Sequence, residues 1–120
     1  MSDLFKNKVV AITGGSEGIG KALVNAFLQR GAKVATCGRH EDKLNALLQQ
    51  HPGKPLHIMV ADVSVESDCK KFINSTIDKF GAIDMLVNNA GISMRALVQE
   101  TEIETLKKVM DINFWGTVFC

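Results

Sequence analysis

The stretch from Val9 to Ala22, VVAITGGSEGIGKA, limits what the chain can become more than any other. Val9 to Ile12 is a continuous apolar run, the pattern of a strand covered on both faces of a parallel sheet rather than one with a face in water. The helix after such a strand must cross back over the sheet, and three glycines divide the work between them. Gly14 gives a sharp exit from the strand, Gly18 a close approach of backbone to a diphosphate, and Gly20 tight packing of helix on strand. The unpaired N–H groups at the helix start then face the anion. The spacing is Gly14-x-x-x-Gly18-x-Gly20 after Thr13 rather than G-x-G-x-x-G, so on spacing alone an ordinary strand-to-helix loop stays open. A Walker A site is excluded, because no G-x-x-x-x-G-K-[ST] pattern frames Lys21, which reads as an exposed helix cation.

Strand and helix patterns alternate through the rest of the chain. Ile19, Leu23, Ala26 and Phe27 share a helical face that Gly31 closes, and Lys33 to Cys37 is a short β-prone run ended by Gly38. Leu44, Leu47 and Leu48 form a stripe that breaks at His51-Pro52-Gly53. Leu56 to Val60 is a third strand. Ser64 is placed to cap a helix on which Val65, Cys69, Phe72, Thr76 and Phe80 recur before Gly81. Met85 to Val87 begins a fourth strand, Asn88-Asn89-Ala90-Gly91 is a polar turn of small residues, and Thr101-x-x-Glu104 is a capping box for a last helix. This predicts a doubly wound α/β parallel sheet of strand order 3-2-1-4, with ligands at the carboxyl ends where the order reverses, between strands one and four.

Composition narrows the partners. A net charge of +1, from 14 basic and 13 acidic side chains, sets up no field for nucleic acid or an anionic membrane, and neither partner is expected. No apolar run reaches the ~18 residues of a membrane span and the first residues lack the order of a signal peptide, so a cytoplasmic protein is expected. Cys37, Cys69 and Cys120 are odd in number and widely spaced, while His40, His51 and His57 do not cluster and read as surface or loop residues. No metal site is expected.

Taken together, Thr13-Gly14-x-x-x-Gly18-Ile19-Gly20, Asp62-Val63, Asn88-Asn89-Ala90-Gly91 and Asn113-x-x-Gly116 make the chain resemble the short-chain dehydrogenase/reductase family over its whole length. The resemblance implies a Rossmann-type NAD(P)-binding domain over residues 1–120. It implies that Gly14, Ser16, Glu17 and Ile19 line the diphosphate and ribose side, with Gly18 and Gly20 permitting close approach. Asp62 and Val63 would meet the adenine, Asn89, Ala90 and Gly91 would wall the nicotinamide side, and Asn89 would also bond toward Thr13. Asp62 has a plainer alternative as the start of a helix cap, and Asn88 or Asn89 as a partner for backbone groups at a strand end. Asn113 lies on the helix face of Leu106 and Val109, where a buried amide needs partners; the resemblance makes it the catalytic asparagine, shaping the helix and holding a proton-relay water.

The chain contains no tyrosine and so departs from the family's Tyr-x-x-x-Lys, which makes a truncated, inactive cofactor-binding half the expectation. The full-length form is expected to be a homo-oligomeric oxidoreductase acting on a small-molecule ketone or secondary alcohol. The other reading is a non-catalytic dinucleotide-binding or redox-sensing module. For the cofactor, NADP is expected over NAD. The position about twenty residues past the glycine turn, where NAD sites carry an acid, is Gly38, and Arg39 follows with a guanidinium suited to phosphate. The alternative leaves Arg39 as a helix-start cation and passes the acidic role to Glu41 or Asp42.

Overall fold

The structure, a computed structural model, describes residues 4–90 together with Glu104, Lys107, Val118 and Cys120. The elements run β1 (Val9–Thr13), α1 (Gly18–Gln29), β2 (Lys33–Gly38), α2 (Glu41–Gln49), β3 (Leu56–Val60), α3 (Glu66–Phe80) and β4 (Met85–Val87). The four strands are parallel in the order β3-β2-β1-β4, as the alternation of patterns predicts. Val10 sits opposite Val34 on one side and Met85 on the other, which places the ends of β1 and β4 next to each other.

Every residue of β1 is buried, as its unbroken apolar run requires. The two faces of the sheet differ in side-chain size. Val10, Ile12 and Val34 point to the side of α1 and α2, where they pack with Val24, Leu28 and Leu47. On the other side Ala11, Ala35 and Cys37 leave room for Phe72 and Cys69 of α3. Period-two alternation therefore survives inside runs that are apolar throughout, carried by size instead of polarity.

Several local expectations need correction. On α1 the fully buried side chains are Val24 and Leu28, with Leu23 and Phe27 only packed at the margin, while Ile19 is 74% exposed. The buried stripe is Gly20, Val24 and Leu28, one position on from the predicted one, so Ile19 is turned away from the sheet. Ser64 does not cap α3. The cap position is Val65, and Ser64 instead donates its amide and its hydroxyl to Asp62. On α2, Leu44 and Leu47 are core but Leu48 is exposed. His57 is not a loop residue: it lies in β3, half-buried, with Nε2 3.0 Å from Ser75 Oγ and its ring edge-on to Phe80. The predicted capping box at Thr101 and its helix lie mostly outside the described residues, of which Glu104, Lys107 and Val118 are helical.

Candidate active site at the strand ends

At the carboxyl ends of β1, β2 and β4 the chain encloses a crevice of about 380 Å³, within the range of small-molecule sites. Two buried threonines fix the turn that borders it. Thr36 Oγ1 accepts from Gly15 N at 3.0 Å and donates to the Ile12 carbonyl at 2.7 Å, so the glycine turn is pinned to β2. Thr13 Oγ1 accepts from the amides of Asn89 and Ala90, both at 3.0 Å, and Asn89 Nδ2 donates to the Gly14 carbonyl at 3.1 Å. The expected tie from Asn89 to Thr13 is therefore present, made by the backbone, with the side chain holding the turn as well.

The glycines have distinct reasons. Gly14 and Gly18 lie at φ +71° and +60°, a region that costs other residues roughly 1–2 kcal/mol. A Cβ on Gly20 would overlap the Gly14 carbonyl oxygen and come within 2.5 Å of Asn89 Nδ2, so Gly20 serves packing rather than ligand approach. A Cβ on Gly18 would meet nothing within 4 Å, because it faces the open crevice. Gly15, which the sequence reading passed over, is needed too: its Cβ would overlap Thr36 Oγ1. The Gly14 amide is spent on the Cys37 carbonyl at 2.9 Å, and the Lys21 amide on Glu17 O at 3.3 Å. Gly18, Ile19 and Gly20 precede the first intrahelical bond, and of these Gly18 lines the crevice, where its amide can face an anion.

Of the predicted residues, Gly14, Ser16, Glu17, Gly18, Arg39, Asp62, Val63, Asn89 and Ala90 line the crevice. Ile19 and Gly20 do not. Gly91 and Asn113 lie outside the described residues. Asp62 Oδ1 accepts from the amide and the hydroxyl of Ser64, and its amide donates to Asp68 Oδ2 at 2.9 Å; the N-cap of α3 is Val65, so Asp62 closes a local turn ahead of the helix instead of starting its cap, and it lines the wall as well. Cys37, Gly38, His40 and Ala61 also contribute lining. The sequence signal for Cys37 and Ala61 is their position at the ends of β2 and β3, where a doubly wound sheet puts its ligands. Cys37 is buried in the core on the α3 side, and that burial pushes its thiol up to about 12, so it stays a neutral thiol and not a nucleophile.

A model of the short chain dehydrogenase family matches residues 8–120. The chain belongs to the short-chain dehydrogenase family. It is similar to 11-beta-hydroxysteroid dehydrogenase A of Arachis hypogaea, 42% identical over 123 residues that cover 99% of this chain and 35% of the relative. Similarity to 11-beta-hydroxysteroid dehydrogenase-like 2 of Arabidopsis thaliana is 40% over 116 residues, covering 93% and 38%. Among solved structures, a short chain dehydrogenase from Bacillus anthracis superposes with a TM-score of 0.89 at 35% identity, over 94% of this chain and 48% of the other. A short-chain dehydrogenase/reductase from Brucella melitensis gives 0.94 at 27%, over 99% and 51%. The chain thus spans between about a third and a half of these relatives' length. For a short-chain dehydrogenase the group to be held is a nicotinamide dinucleotide, NAD or NADP. The crevice fits it: free amides at a helix start, open space over Gly18, and a wall at the ends of β3 and β4. Among the described residues no helix is long and apolar enough to cross a membrane.

Proposed function

We propose that this short-chain dehydrogenase is NADP-dependent and interconverts a ketone and a secondary alcohol, and that residues 1–120 supply its cofactor-binding half. The observation that carries the cofactor choice is the end of β2. Gly38 brings no carboxylate to the crevice wall, although a Cβ there would stand at ordinary contact distance from Ser16 and Leu44, and Arg39 beside it lines the same crevice. Among the described residues Arg39 has no carboxylate within ion-pair distance, so its guanidinium is available to a phosphate. Glu41 and Asp42, the competing acids, lie in the first turn of α2, where they favour the helix dipole, and neither lines the crevice.

In this reading the Gly18 amide meets the diphosphate, with Gly14, Ser16 and Glu17 on the same wall, and Asp62 and Val63 flank the adenine. Asn89, Ala90 and Gly91 wall the nicotinamide, which when bound supplies or accepts the hydride. Asn113 holds a relay water for the substrate proton. Hydroxysteroid dehydrogenases among the relatives support a secondary alcohol and ketone as the substrate couple. A cytoplasmic, homo-oligomeric full-length protein belongs to the same proposal.

The test is Arg39→Ala in the full-length protein. Losing a charge-assisted contact costs roughly 1.5 to 3 kcal/mol, about one to two decades of affinity. NADPH should weaken by that factor while NADH stays nearly unchanged. Equal weakening of both, or a parent that prefers NADH, would overturn the assignment.

A further inference from the structure

One ion pair crosses the rim of the crevice. Lys43 Nζ, in the first turns of α2, donates to Glu17 Oε1 of the glycine turn at 2.9 Å. The partners are 26 residues apart in sequence, so the contact is a product of the fold, unlike the i,i+4 pair of Lys70 and Glu66 within α3. Glu17 lines the crevice together with Arg39 and His40, whereas Lys43 reaches it through Glu17. The Lys43 ammonium, by hydrogen bond and charge, holds the Glu17 carboxyl below its ordinary value, with a smaller contribution from His40. A carboxylate is therefore built into the wall that would receive the ribose, and a cation is built in to cancel it.

Glu17 has two opposite capacities. Left unpaired, it would accept hydrogen bonds from ribose hydroxyls, as the acid of an NAD site does, and would repel a 2′-phosphate carrying close to two negative charges. With Lys43 bound at Oε1, its charge is offset and one of its two acceptor oxygens is taken, so both capacities are reduced. We propose that the Glu17–Lys43 pair is a selectivity latch: Lys43 is a positioning residue that acts through Glu17, keeping its carboxylate neutralised so that the rim accepts a 2′-phosphorylated dinucleotide. The proposal rests on the crevice being a dinucleotide site. Side-chain exposure of 44% for Lys43 and 64% for Glu17 keeps the pair weak and exchangeable, so it adjusts selectivity without holding the fold together.

The experiment is titration of NADPH and of NADH, by calorimetry at low salt, into the full-length protein and its Lys43→Met, Lys43→Arg, Glu17→Gln and Glu17→Gln/Lys43→Met variants. A unit charge about 4 Å away in water changes binding about fivefold. Lys43→Met should therefore weaken NADPH about fivefold and tighten NADH, and Lys43→Arg should restore the parent ratio. In the Glu17→Gln background the lysine substitution should still weaken NADPH by a similar factor, since the charges superpose, but should no longer tighten NADH, which needs the freed carboxylate; all differences should fade toward ~1 M salt, where the Debye length is about 3 Å. An NADPH to NADH ratio unmoved by Lys43→Met overturns the latch, and so does an NADH affinity that does not rise, or a rise that survives Glu17→Gln. A parent protein that binds neither dinucleotide overturns the site itself, and that result is read before any variant is compared.

Discussion

The substitution Thr36→Val isolates one hydrogen-bonded atom at the base of the site. Thr36 is fully buried, and its hydroxyl both accepts from Gly15 N at 3.0 Å and donates to the Ile12 carbonyl at 2.7 Å. Valine has nearly the same shape but replaces the oxygen with a methyl, which leaves the Gly15 amide buried beside carbon with no water to turn to. An orphaned buried donor costs about 1–3 kcal/mol, and a methyl cannot sit as close to the amide nitrogen as the oxygen does, so the turn must also lift. We expect a loss of about 2–3 kcal/mol, with weaker dinucleotide binding because the displaced turn carries the anion-facing amides. Thr36→Ser is the control: it keeps both bonds and removes one buried methyl, at about 1 kcal/mol. Urea denaturation of the full-length protein measures both, provided the dependence on denaturant is unchanged between variants. Counting apolar atoms alone ranks valine above serine, whereas the hydrogen bonds rank serine above valine. A valine variant as stable as the parent, or more stable than serine, would falsify this account of the turn.

Gly18→Val should abolish dinucleotide binding in a calorimetric titration while costing only about 1–2 kcal/mol of stability, since the residue sits at φ +60° but faces open space; unchanged affinity would remove the turn from the site. His57 titrates below its ordinary 6.5, chiefly because burial disfavours its charge and secondarily because Lys79 repels it. A folded value below the unfolded one means that its contribution is complete above pH 6.5 and is lost as pH falls through the lower folded value. Comparing the pH dependence of stability between the parent and His57→Gln should show a shallower acid loss in the variant, and identical slopes would count against the burial argument.

Much of this protein was legible in one dimension. The unbroken apolar run of Val9 to Ile12, the glycine turn and the strand and helix periods are local properties, and local sterics with chain connectivity leave few arrangements for them other than a parallel sheet of order 3-2-1-4. Most of the site wall followed, because a doubly wound sheet puts the ends of β1 and β4 together whatever their side chains are. What the sequence could not disclose were contacts whose partners are brought together only by packing. Thr36 looked like an ordinary β-former until the fold set its hydroxyl under Gly15. Gly15 looked incidental beside the other glycines. Ser64 looked like a helix cap because its type suits one, yet Asp62 two residues earlier competes for the same hydroxyl and wins. Ile19 matched a helical stripe but lies one position off the buried one, since apolar spacing gives the period of a helix while packing against the sheet sets its phase. The pairing of Glu17 with Lys43 is of the same kind. Neither residue signals the other in sequence, and only the turn of the chain at the end of β2 sets a cation against the one carboxylate of the glycine turn.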